Sequence, residues 1–217
     1  MSEIEFILSE INKEKIINKM SDIEFILSEI GKQFHIKEHV TRSVYKIVDA
    51  VGSPFILKII DSSETPWFTL APHLDLIERY MGNYRLCDRL GLGPKIFQTN
   101  RFGSYASIIM EYLPFRLTQS FIDSNKDNIR NFVQTLHSQG LYHGDLHAGN
   151  IMMDFNGKFK IVDLETMFYA DEININNNIS YNPLILEWIK GSYDDIETLQ
   201  EYIDMELNKL WLYEIDD

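Results

Sequence analysis

One cysteine, Cys87, is all the thiol that this sequence of 217 residues carries. An internal disulfide is therefore excluded, and the expected setting is a reducing one, the cytoplasm of the producing organism or of an infected host cell. No apolar run approaches the roughly 20 residues that cross a bilayer, and the start lacks the basic-then-apolar order of a secretory leader, so no membrane insertion is expected. Positive charge is also scarce. Lys and Arg number 20 against 33 Asp and Glu, a net charge of −13, which argues against nucleic acid or an anionic membrane as partner and leaves a protein as the expected one. The same field repels polyphosphates. A site for one must bring its own cations, as metal ions and at least one well-placed lysine. What is present in quantity is ordinary globular material, 45% hydrophobic and 24% charged, enough for one core or two small lobes.

Along the chain the first feature is a duplication: MSEIEFILSEI at 1–11 returns as MSDIEFILSEI at 20–30. Both copies space their apolar residues as a helix does, Ile4, Ile7, Leu8 and Ile11, then Ile23, Ile26, Leu27 and Ile30. Two origins are weighed, a docking helix for a partner and a duplicated gene start whose Met20 opens the original protein, and the second is favoured. After Gly31 the runs HIKEHV, SVYKIVDAV and FILKII read as antiparallel strands. A helix is expected over 72–90, stopped by the GLGP turn at 91–94, then strands at KIFQT and YASIIMEYL, and a helix over 126–138 ended by Gly140. IMMDF and KFKIVDL should form a hairpin turned by Asn156-Gly157. Residues 171–180 read as a polar loop, and 183–212 as two helices. Trp67, Trp188, Trp211 and Phe68 are expected in packing, as is Cys87. The order implies an α+β protein with a β-rich first part and a mainly helical second part, divided as 1–30, 31–113 and 114–217.

The chemistry-bearing segment is HGDLHAGN at 143–150. Asp145 and Asn150 stand five apart in a loop between a helix and a hairpin, where one can face an incoming hydroxyl and the other a metal ion. Asp163, in KIVDLE, would face the same place and hold a metal that bridges phosphates. The plain alternative is that Asp, Asn and Gly are here as turn formers. A zinc reading of His143 and His147 lacks a third ligand nearby.

These residues resemble the protein-kinase-like superfamily, whose catalytic loop has the form HxDxxxxN followed by a strand ending in a metal-binding Asp. The resemblance covers about residues 34–170 and is nearest to the compact atypical kinases, such as the RIO family and the kinase of the KEOPS complex, and to the lipopolysaccharide-core and antibiotic kinases that share HGDxxxxN. It implies a two-lobed protein-kinase-like fold, with a small antiparallel β N-lobe and a reduced, mainly helical C-lobe. It also implies an ATP- and Mg2+-dependent phosphotransferase, with Mn2+ as a substitute metal and a protein serine or threonine as acceptor. The alternatives are a small-molecule kinase and a nucleotide-binding pseudokinase or regulatory ATPase. On this resemblance Lys58 of FILKII would bind phosphate and Asp145 would orient the acceptor. Asn150 and Asp163 would hold the metals, and Met110, Glu111 and Leu113 of the IMEYL segment would line the adenine site. Glu78, or Asp75 one turn earlier, would pair with Lys58. The glycine-rich loop is missing; Thr41, Arg42 and Ser43 stand there, so Arg42 or Ser43 would touch phosphate through its side chain. DLE replaces the usual DFG triplet, and Gly144 replaces the arginine that serves activation-loop control, a route the resemblance therefore does not extend to.

Overall fold

The computed structural model describes residues 23–41, 43–61, 75–169, 173–174, 179–180 and 204. Expectations that fall elsewhere, on the first copy of the repeat, Arg42, Phe68, the three tryptophans and the helices over 183–212 apart from the helical residue 204, lie outside the described residues. The chain divides into two compact units, residues 1–61 with 97–110, and residues 62–96 with 111–217. They are called here the sheet unit and the loop unit.

In the sheet unit the second copy of the repeat is a helix, α1, over 23–31. It is followed by strands β1 (His35–Thr41), β2 (Val44–Val48) and β3 (Pro54–Asp61). β1 pairs antiparallel with β2, with irregularities between Ile36 and Glu38 and between His39 and Thr41, and β2 pairs antiparallel with β3 from Val44↔Lys58 to Val48↔Pro54. With β4 (Ile96–Phe102) and β5 (Tyr105–Glu111) they make a five-stranded sheet of order β1-β2-β3-β5-β4. The helical spacing of α1 has a direct consequence. Ile26 and Ile30 are buried with Tyr45, Ile47, Leu57, Ile59, Tyr105 and Ile109, while Ile23 and Leu27 close the flank of that cluster. The second copy is thus part of this chain's own core.

The loop unit begins with α2 (Leu76–Arg89), whose start is set by Asp75, the N-cap residue accepting the Glu78 N–H at 3.1 Å. The expected start at 72 falls outside the described residues. α2 stops as expected at the GLGP turn, where Leu90 and Gly91 bond back into the helix, and Asp88 Oδ2 accepts the Ile96 N–H at 3.0 Å. Next come β6 (Phe115–Arg116), α3 (Gln119–Ser138), β7 (Leu141–Tyr142), β8 (Ile151–Met153), β9 (Phe159–Ile161), β10 (Phe168–Tyr169), β11 (Ile173–Asn174) and β12 (Ile179–Ser180). β6, β8 and β9 form one antiparallel sheet, β7 pairs with β10, and β11 pairs with β12. α3 lays Phe121 and Phe132 against Phe159 of β9, and His137 stacks on Tyr142 of β7 at 5.1 Å. An α+β architecture with antiparallel sheets is what the pattern of elements implied.

Four local expectations are corrected. α3 begins at Gln119 rather than 126, because Thr118 caps an earlier segment by accepting from Phe121 N–H, and the two segments merge across non-helical Asn125, whose Nδ2 donates to Phe121 O at 2.9 Å. The hairpin does not turn on Asn156-Gly157 alone. Asp154 and Lys158 close it, Asp154 N–H donating to Lys158 O at 3.0 Å and Asp154 Oδ1 accepting from the N–H groups of Asn156 and Lys158, with Gly157 at φ +75°. Burial alone would raise the Asp154 pKa; those N–H groups and the Lys160 charge outweigh it and hold it below the ordinary value. The second strand of that hairpin ends at Ile161, short of Asp163, which stands in a left-handed conformation. The polar segment 171–180 holds the β11–β12 pair.

Candidate functional site

The loop 143–150 is built around one buried imidazole. His143 is fully buried. Its Nδ1 accepts the backbone N–H of Asp145 at 3.3 Å, which leaves Nε2 to carry the proton and donate to Val162 O at 2.8 Å. The ring therefore ties the loop to Val162, which follows β9 and precedes Asp163. From the other side, Thr166 Oγ1 donates to His143 O at 2.8 Å. Gly144, at φ +82°, is where the chain turns over that contact: a Cβ there would sit 2.5 Å from Thr166 O. Glycine is required twice, by conformation and by space.

Asn150 fixes the far end. Its Nδ2 donates to Asp145 O at 2.9 Å, its N–H donates to His147 O at 2.9 Å, and its C=O accepts Val162 N–H at 2.9 Å. The amide nitrogen is committed to the loop, so the amide oxygen is the group Asn150 can offer a ligand. Asp145, in the same loop, is exposed. His147 Nδ1 accepts Gly149 N–H at 3.2 Å and so caps the short turn Ala148–Asn150. These bonds bring the loop ends and Asp163 together: Val162 is held through its C=O by His143 and through its N–H by Asn150, and Asp163 is its neighbour.

Asp163 is the sole non-glycine residue at positive φ among the described residues, φ 63° and ψ 58°. Its carboxylate is exposed and does not cap the turn Leu164–Thr166 that follows. A backbone strain of this kind, about 1–2 kcal/mol, persists only where surrounding bonds impose it. The bonds that do so come from α2. Asn83, fully buried, donates Nδ2 to Leu164 O at 2.9 Å and accepts Tyr169 Oη at 3.0 Å on Oδ1. Arg79 Nη2 donates to Met167 O at 3.1 Å, Tyr84 Oη donates to Glu165 Oε2 at 3.3 Å, and Cys87 Sγ lies 3.6 Å from Met167 Sδ. Burial pushes the Cys87 thiol up to about 12, in keeping with its expected packing role. Asn83 was not singled out from sequence. The signal was there: a polar amide at a core-facing position between Tyr80 and Cys87. Replacing Asn83 by leucine should keep the branched shape but strand the Leu164 carbonyl and the Tyr169 hydroxyl, lowering stability by about 2–4 kcal/mol in denaturant unfolding.

The remaining sequence candidates are placed as follows. Within the sheet unit, Lys58 is half-buried on β3 opposite Val44, Ser43 O accepts Ile59 N–H at 2.8 Å, and Met110 is buried on β5. Within the loop unit, Glu78 on α2 pairs with Arg85 at 2.9 Å and Asp75 caps that helix. Glu111 N–H is committed to Lys95 O at 2.8 Å, and Leu113 is buried. Among the described residues no group of three or more His, Cys, Asp or Glu side chains is placed to hold a metal ion, and no helix is long and apolar enough to cross a membrane. The oxygen donors carried by the loop and by the residue after Val162, the Asn150 amide oxygen and the Asp163 carboxylate, are hard oxygens. Two such donors suit Mg2+, which keeps much of its water and takes further oxygens from a bound phosphate.

Comparison with known proteins adds one result. The family model described as Seadornavirus VP7 matches residues 97–214, more than half of the chain and all of the loop 143–150 and Asp163. No curated protein matches the chain. The match corrects the resemblance to the protein-kinase-like superfamily, and with it the assignment as an atypical serine/threonine kinase and transferase: the family that this stretch fits is a viral one of its own. The physical reason lies in the loop. His143, Gly144 and Asn150 are each fixed by backbone needs, a carbonyl to hold, a left-handed turn to make and a loop to close, so eight residues of this kind specify a loop geometry more strongly than a family.

Proposed function

Since the chain belongs to the Seadornavirus VP7 family, we propose, for this viral protein, that the loop 143–150 with Asp163 is a divalent-cation site that engages the phosphates of a metal-bound nucleotide, ATP with Mg2+ being the ligand expected. The observation that carries the reading is the strained Asp163, an exposed carboxylate held at φ 63° beside a loop whose one committed amide leaves Asn150 Oδ1 as a second hard donor. In this reading Asn150 and Asp163 hold the ion, and the ion supplies the positive charge that a chain of net charge −13 needs to attract a polyphosphate. Asp145 lies exposed at the same loop and orders water or a ligand hydroxyl by accepting its hydrogen bond. His143 and Asn83 touch no ligand; they set the backbone that aims the others. The division into a small antiparallel sheet unit and a larger loop unit supports a two-lobed organisation.

The test is calorimetric titration of the full chain with ATP, first in excess EDTA and then with Mg2+. Heat of binding that appears with Mg2+ and vanishes in EDTA is expected. Equal binding in both, or none in either, would remove the reading.

A further inference from the structure

Residues 1–11 and 20–30 differ at a single position, Glu3 against Asp22, and the seat of the second copy is now defined. Ile26 and Ile30 enter the core formed with Tyr45, Leu57, Ile59 and Ile109, Ile23 and Leu27 cover its flank, and Phe25 meets Phe102 edge to face at 6.1 Å. Every one of those helix side chains has its counterpart nineteen positions earlier, Ile4, Phe6, Ile7, Leu8 and Ile11. Even the ion pair of Lys32 with Glu29 is matched in sequence by Lys13 and Glu10. A seat that recognises a helix through these side chains has no means of telling the two segments apart.

The geometry points to residues 1–11 as a second occupant of the α1 seat, exchanging with residues 20–30 on the same sheet of the same chain. The balance between them is set by the connection to β1. Residues 31–34 join the second copy to His35, whereas residues 12–34 would join the first. Both connections reach, and the entropy of closing the longer one favours the second copy by about tenfold. The sheet unit therefore keeps a spare for the helix that completes its core, and whichever copy is unseated has an apolar face to offer elsewhere.

The test uses the full chain with Ile7→Glu, Ile26→Glu and both together, reading amide hydrogen exchange at Leu57 and Ile59, whose side chains line the seat. Ile7→Glu should leave protection unchanged. Ile26→Glu should lower it only about tenfold, the preference lost when the first copy takes over. The double variant, with neither copy able to bury its helix, should lose a further hundredfold or more. If Ile26→Glu alone is as damaging as the double variant, the first copy does not occupy the seat. Retained protection in Ile26→Glu should also be independent of protein concentration; protection that rises with concentration would mean that the segment comes from another chain and would overturn exchange within one.

Discussion

Alanine in place of Gly144 is expected to destabilise the loop unit by about 3 kcal/mol. Roughly 1–2 kcal/mol comes from holding a residue with a Cβ in the left-handed region, where this glycine has φ +82°. The rest comes from contact: the new Cβ would stand 2.5 Å from Thr166 O, a backbone atom in the segment that Thr166 Oγ1 ties to His143 O. Relief would require moving either the loop or the turn after Asp163, at a cost of about 1–3 kcal/mol. Gly157 provides the control within the same unit. It has a similar φ of +75° but nothing within 4 Å of its would-be Cβ, so Gly157→Ala should cost only the conformational part. Denaturant unfolding of both variants separates strain from collision, and equal losses would show that the Gly144 contact relaxes freely.

Asparagine at position 163 should reduce Mg2+-dependent nucleotide affinity by about a hundredfold, since even partners that merely orient a metal ligand are worth 10–100-fold. Asparagine tolerates the left-handed conformation at least as well as aspartate, so stability should change little. Glycine at 163 extends the argument. It removes the same ligand while abolishing a backbone strain of about 1–2 kcal/mol, so the Asp163→Gly chain should bind as poorly as Asp163→Asn and unfold no more easily than the parent. A strained residue kept for binding and not for stability gives that pairing of results. If Asp163→Gly binds normally, the carboxylate is not a ligand. If it unfolds much more easily, the conformation at 163 is held for packing.

Where periodicity and burial coincide, the sequence was a good guide to the fold. Ile23, Ile26, Leu27 and Ile30 mark a helix and its buried face at once, and in the strand FILKII every second residue, Phe55, Leu57 and Ile59, packs into the same cluster. The misses arose where side chains capture backbone locally. Thr118 starts a helix segment that the later polar run hides, and Asp154 converts an Asn-Gly signal into a longer closed turn. The candidate site was legible only as residue types, an aspartate, an amide and a second aspartate, placed where a loop joins a helix to a hairpin. What sequence could not convey was their support. The buried amide of Asn83 acts across 81 positions of chain on Leu164, and the left-handed φ of Asp163 has no signature in the letters around it. Family was the least legible property of all, since a loop whose residues are fixed by hydrogen-bonding needs looks alike wherever those needs recur.

Paramagnetic broadening by Mn2+, substituted for Mg2+ with ATP present, tests the central claim most directly, because it reports distance from the ion residue by residue. In the amide NMR spectrum of the full chain, substoichiometric Mn2+ should broaden Asn150, Val162 and Asp163 first, and the effect should disappear in Asp163→Asn. Broadening that centres on another acidic stretch, or that survives in Asp163→Asn, would contradict a metal site at this loop.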